Sequence, residues 1–170
     1  SRDPYFNFDI LEEKNDLEAL FDVLMSVKDA NGNNAKLTAN TIVANPNFLK
    51  IKESDYQGYF FETFLDSYRN RDGSDEIFHL IKDGIDQNIY QPQLHGREHL
   101  CLNQWLDALR NSHNELKLAF NEQMFGIPLN YKINKRSNVM AALDFENFNE
   151  IESHADIIKE GQKLFSETFG

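Results

Sequence analysis

One cysteine, four prolines and eight glycines are spread through 170 residues, and each scarcity removes a class of answer. A lone Cys101 cannot close a disulfide within the chain, so the core alone must hold the fold. It sits in the apolar run with Leu100 and Leu102, where a thiol acts as a small buried hydrophobe, and both a reducing cytosol and a secreted setting are compatible with it. No Gly- or Pro-rich tract, repeat or low-complexity stretch marks an internal linker. A single domain over residues 1–170 is therefore expected, long enough to bury roughly two thirds of the unfolded chain's surface. No apolar run approaches the ~20 residues that span a bilayer, and no basic segment followed by an apolar one opens the chain. The sequence thus predicts a soluble chain with no membrane span and does not specify a compartment. Basic side chains are also in deficit: 17 Lys plus Arg face 28 Asp plus Glu, a net charge of −11. Such a surface repels a phosphate backbone and argues against nucleic acid as a partner. There is no G-x-S-x-G elbow to present a nucleophilic serine. Cys101 has no basic neighbour beyond His99 to lower its pKa, so it is not read as a nucleophile.

What is present alternates between helix-like and strand-like patterns. Asp16 is a suitable N-cap for Leu17, Leu20, Phe21, Leu24 and Val27 at helical spacing, with "NGNN" at 31–34 as the stop. Residues 37–43, rich in Thr, Ile and Val, predict a buried strand closed off by Pro46. Residues 47–71 hold Phe48, Tyr56, Tyr59, Phe60, Phe61, Phe64 and Tyr68 without a sustained period. Rings in such a segment pack over a core edge or line a cleft for sugar rings, and packing is the commoner role. Ser74 is expected to cap a helix with Ile77, Phe78, Ile81 and Ile85 on one face, and "IYQPQL" at 89–94 a short strand with an irregularity at Pro92. Leu102, Trp105, Leu106 and Leu109 restore helical spacing. Ser112 and Glu115 spell a capping box for a helix through Leu116, Phe120 and Met124 to Gly126. "VMAALDF" at 139–145 predicts a strand, and residues 150–168 a last helix around Ile151, Ile158 and Phe165. This order belongs to an α/β fold with a mainly parallel sheet. Three strands are too few for a closed eight-stranded barrel, so a partial barrel or a small open sheet is expected.

The chemistry concentrates in "LHGREHL", residues 94–100. In α/β folds the loops leaving the C-terminal ends of parallel strands carry the reacting groups. His95 falls at such an end. If residues 96–100 begin a helix, His99 lies one turn further along the same side, as two ligands of one divalent metal require, zinc first among them. Gly96 would allow the sharp turn between strand and helix. Arg97 and Glu98, between the histidines, are candidate substrate-binding residues or salt-bridge partners. The competing reading makes all four a polar junction that satisfies backbone groups. Read literally, "HGREH" is also the H-x-x-E-H pattern of inverzincin metalloproteases, with Glu98 as general base, but that pattern needs a helix, and Gly96 and the preceding "YQPQL" argue against one. His79, His113 and His154 read as structural, and "RNRDGSDE" at 69–76 as a solvated turn rather than a calcium loop.

"PQLHGREHL" resembles the histidine motif of NodB-type polysaccharide deacetylases, in which an H-x-x-x-H pair after a barrel strand holds the metal. The wider sequence, "LTANTIVANPNFLKIKESDYQGYFFETF" followed by "YQPQLHGREHLCLNQWLDAL", is similar to proteins grouped with that superfamily as deacetylase-like, many of them bacterial and without an assigned substrate. The likeness extends over most of residues 9–125 and is most specific at "QPQLHGREHL". It implies a distorted (β/α) barrel and metal-assisted removal of an N- or O-acetyl group from a carbohydrate. Only His95 and His99 carry over, as metal ligands. The family's Ser or Thr after the first histidine is Gly96 here, and its paired aspartates, from an early strand with a T-F-D-D-like sequence, have no counterpart. "ALDFENF" at 142–148 is acidic but comes late in the chain. The resemblance therefore leads to the expectation that those aspartates lie upstream of Ser1, or that the barrel is present without the activity. In either case the isolated chain would carry half a metal site and show little activity. The non-enzymatic alternative is a carbohydrate-binding or interaction module that uses the aromatic residues at 56–68 and keeps its histidines structural.

Overall fold

In the computed structural model, residues 11–111, 113–127, 129 and 138–170 are described. Seven helices appear among them: α1 (Lys14–Ser26), α2 (Phe48–Glu53), α3 (Phe64–Asp72), α4 (Glu76–Asp86), α5 (Leu102–Arg110), α6 (Asn114–Asn121) and α7 (Ile151–Phe169). The strands are β1 (Leu37–Ile42), β2 (Ala44–Pro46), β3 (Phe61–Thr63) and β4 (Tyr90–Gly96), and a 3-10 turn at Phe148–Glu150 leads into α7. By contacts the chain groups into two units, one from residues up to Ala39 with Tyr68–Gln93, the other from Asn40–Ser67 with Leu94–Gly170.

In the first unit α1 begins earlier than Asp16 predicts. Glu13 takes the N-cap, and Asp16, three residues in, accepts the Glu13 N–H at 3.0 Å to complete a capping box. Leu17 and Phe21 are buried, as are Ile77 and Ile81 of α4. That helix opens with Asp75 rather than Ser74 at its N-cap. Close packing fixes Gly84: a Cβ there would stand 2.6 Å from Phe21 Cζ and 3.0 Å from Tyr90 Cβ. The rings of Phe21 and Tyr90 meet edge to face, 5.9 Å apart.

β1 and β4 pair in parallel as a two-stranded sheet. The Leu37 N–H donates to the Ile89 carbonyl at 2.9 Å in the first unit, and in the second the Ala44 N–H donates to the Arg97 carbonyl at 2.8 Å. β1 alternates inner and outer positions, with Thr38 and Asn40 exposed, rather than burying both faces. β2 and β3 form a short antiparallel pair in which Ala44 opposes Thr63 and Pro46 opposes Phe61. The class is α/β with a small parallel sheet, and among the described residues no barrel closes.

The second unit's core gathers Ile51, Leu100, Trp105, Leu109, Leu116 and Phe120. The predicted period of α5 is the observed one: Trp105, Leu106 and Leu109 are buried and Leu102 partly so, while Asn103, Asp107 and Arg110 are exposed. Three other expectations are corrected. Residues 139–145 form no strand: the Val139 carbonyl accepts the Cys101 N–H at 2.7 Å, and the chain then turns, the Asp144 N–H donating to Ala141 at 3.0 Å. A β-rich composition makes a strand only where a ladder partner exists. α6 stops at Asn121 rather than Gly126, because Gln123 adopts a left-handed φ of 57° and the Met124 N–H closes back on the Ala119 carbonyl at 2.8 Å. Its N-cap is His113, while the predicted capping residue Ser112 lies outside the described residues. On α7, Ile151 and Ile158 are exposed, and the inward stripe instead runs through Ile157, Gly161, Leu164 and Phe165.

Candidate functional site

His95 is the penultimate residue of β4, and the strand's burial alternation turns it outward: Pro92 is buried, Gln93 and His95 exposed. Gly96 then adopts φ +155°, open to glycine at little cost, and the chain bends away from the strand. No helix begins at 96–100. Residues 97–100 form an irregular turn, with Leu100 and Cys101 buried beneath it, and α5 starts only at Leu102. The expected helical turn between the histidines is therefore replaced by a non-helical one. It still brings them together, with the ring centroids of His95 and His99 5.2 Å apart.

Two imidazoles bound to one tetrahedral zinc, with Zn–N bonds of about 2.0–2.1 Å, have ring centroids roughly 5 Å apart. The observed separation fits such an ion. Partial burial, and then the neighbouring His95, lower the pKa of His99 below the ordinary imidazole value. Both effects favour the neutral ring, the form that binds metal. Among the described residues no third His, Cys, Asp or Glu joins the pair in a metal-holding cluster.

Arg97 and Glu98 lie between the histidines and turn inward. Their side chains are only 7% and 1% exposed, and they engage each other through two parallel bonds: Arg97 Nε to Glu98 Oε2 at 2.6 Å and Nη2 to Oε1 at 2.9 Å. Arg97 Nη1 also pairs with Glu160 of α7. The guanidinium lies over the rings of Phe61 and Tyr59, 4.9 and 5.4 Å from their centroids. The Tyr59 hydroxyl donates to Glu98 Oε2 at 3.3 Å. Burial opposes the charge on Arg97, but hydrogen bonding and attraction from Glu98, and then Glu160, outweigh it and raise its pKa. Burial likewise pushes the Tyr59 phenol up, with the Glu98 charge adding to it.

Gly161 brings α7 onto this turn. A Cβ there would lie 3.0 Å from the Arg97 nitrogen and 3.3 Å from its Cα. Two clefts adjoin. One of about 190 Å³ is lined by His95, Ala142, Leu143, Ile157 and Ile158, and one of about 390 Å³ by Tyr59, Asn103, Ser153 and His154 over an apolar floor. Neither Glu160 nor Gly161 stands out from the sequence's histidine motif. The signal was there for Gly161, since a glycine inside an otherwise regular helix marks a close approach.

Comparison with protein-family models, with curated proteins and with solved structures finds no match. The chemistry must be read from the residues themselves.

The remaining candidates fall elsewhere. His79 is exposed on α4, His113 caps α6, and His154 lies against the Phe145 ring at 6.4 Å. In the 69–76 turn, Arg69 and Asp75 pair at 2.6 Å. Tyr56 and Tyr59 pack on the core, and Tyr68 is buried, donating its hydroxyl to Glu12 at 2.7 Å. Cys101 is buried, as a small apolar side chain would be.

Proposed function

We propose that this chain is deacetylase-like, carrying the H-x-x-x-H half of a divalent metal centre in a hydrolase that removes acetyl groups from carbohydrates. A single observation carries the reading: two exposed imidazoles at the end of a parallel strand, 5.2 Å apart, a separation that suits two ligands of one ion. In this reading His95 and His99 are the ligands and zinc the first candidate, with the remaining positions taken by a carboxylate and water to which no described residue is assigned. When bound, such an ion supplies polarisation of the acyl carbonyl and a more acidic water. The chain's own part is to hold two imidazoles at a fixed spacing. Arg97 and Glu98 shape the floor of the site through their mutual pair, and the cleft beside His95, walled by Ala142, Leu143 and Ile157, offers an apolar surface to an acyl methyl. The distorted barrel implied by the resemblance belongs to the same proposal. The H-x-x-E-H protease reading gains no support from a motif that lies outside any helix.

Cobalt and zinc titrations of the purified chain test the reading, followed by acetate release from acetylated saccharides. About one equivalent of metal is expected, held weakly because only two ligands are identified, and lost in both His95→Ala and His99→Ala. Metal content unchanged in both variants, or no uptake by the parent protein after reconstitution, would overturn it.

A further inference from the structure

We infer that α7, through Gly161 and Glu160, is the positioning element for the His95–His99 pair; the inference rests on the proposed role of that pair and deepens it. His95 and Gly96 close β4 and the Arg97 carbonyl still accepts from the Val43 and Ala44 N–H groups at 3.1 and 2.8 Å, but residues 97–100 belong to neither strand nor helix. A turn without internal bonding keeps its shape only if its surroundings impose one. Below it, the Arg97–Glu98 pair is fixed by Tyr59 and Phe61. From the remaining side comes α7. Glu160 holds the third guanidinium nitrogen, and one residue along, the absence of a side chain at Gly161 lets the helix rest against the Arg97 backbone itself.

Both contacts converge on one residue, midway between the two histidines. A Cβ at position 161 meets the Arg97 nitrogen, Cα and Cβ at 3.0–3.3 Å. Two of these are backbone atoms and cannot rotate aside, so either α7 or the turn must shift. A shift of a few tenths of an ångström at Arg97 is transmitted in both directions along the chain, to His95 on β4 and to His99. Neither Glu160 nor Gly161 touches the histidines in this scheme. They act through Arg97, and they distinguish α7 from a helix that merely covers the core: Ile151 and Ile158 are exposed, Ile157, Leu164 and Phe165 are partly buried, and the helix's one fully buried position is the glycine.

The test is the nuclear Overhauser contact between the His95 and His99 ring protons in the metal-free, full chain, which reads the pair's geometry without any metal. Gly161→Ala is expected to abolish it while Leu116→Ala, a cavity variant in the same unit's core, lowers the melting temperature and leaves it intact. A contact that survives in folded Gly161→Ala, or that is lost equally in Leu116→Ala, overturns the inference. Should Gly161→Ala fail to fold, Glu160→Gln decides by the same signal: its weakening supports the role of α7, and an unchanged contact rejects it. A cobalt titration of the same samples judges the functional reading separately. Uptake by the parent chain that falls at least tenfold in Gly161→Ala supports both, whereas no uptake by the parent chain sinks the metal reading and leaves the positioning role to the ring contact.

Discussion

The unit that contains α1 and α4 buries Leu17, Phe21, Tyr68, Ile77, Ile81, Ile89 and Tyr90, none of them charged, whereas the unit that carries His95 and His99 encloses Arg97, Glu98, Gln104, Thr41 and Ser67 as well as its apolar core. Apolar burial stabilises without regard to direction, so the first unit needs only shape. A buried ion pair is different: it contributes little net stability compared with apolar residues of the same volume, but it fixes geometry when every donor and acceptor is used. Its position directly between His95 and His99 fits a demand for a defined turn rather than for stability. The first unit resembles an ordinary scaffold, and the second accepts a desolvation cost at one place.

The largest expected effect follows from breaking that pair. Glu98→Ala leaves an enclosed guanidinium whose one carboxylate partner among the described residues is the half-exposed Glu160, with the Phe61 and Tyr59 rings beside it, and removal of one member of a buried pair costs roughly 3–5 kcal/mol. Urea denaturation should show a loss near the lower end of that range. The double variant Arg97→Met/Glu98→Leu should recover most of the stability, because no charge is then left buried. A single-variant loss below about 1 kcal/mol would mean the pair is more hydrated than its geometry indicates and would erase the contrast between the units.

A smaller effect is expected in the first unit, where shape alone is at stake. Gly84→Val must place its Cβ 2.6 Å from Phe21 Cζ and 3.0 Å from Tyr90 Cβ, and overpacking of this kind costs about 1–3 kcal/mol. Denaturation again provides the measurement. A neutral or stabilising result would show that the Phe21 ring swings away freely and that this interface is looser than the edge-to-face contact suggests.

What could be read beforehand divides along the same line. Periodic apolar faces were legible: Ile77 and Ile81 on α4, and Trp105 and Leu109 on α5, are buried where their spacing puts them. The strand leading to His95 and the turning role of Gly96 were legible too, since Gly96 departs from ordinary backbone angles. Residues 139–145 misled because a run such as Val139–Leu143 carries strand composition, while the partner strand that would make it one is a tertiary fact. The inward turn of Arg97 and Glu98 was hidden for a related reason. Charged residues are buried only when a partner and a lid are supplied, and here those come from Tyr59, Phe61 and α7, 36 or more positions away in the chain.

The smallest expected effect is on pH dependence, and it asks whether the turn's constraint reaches the histidines. Burial and the adjacent His95 depress the pKa of His99 in the folded chain. Above an unfolded value near 6.5, both states carry a neutral ring and the shift contributes nothing. As pH falls through that value, the unfolded chain takes up its proton first and gains stability relative to the folded one. Folded stability of the metal-free protein should therefore decline from about pH 7 toward pH 5 and level off once the folded ring is protonated too. Urea midpoints across that range, compared with those of His99→Gln, isolate the contribution, and the variant should show the shallower slope. An identical slope in the two proteins would mean that the ring is hydrated like a free imidazole. The 5.2 Å approach to His95 would then be a contact the folded chain does not enforce.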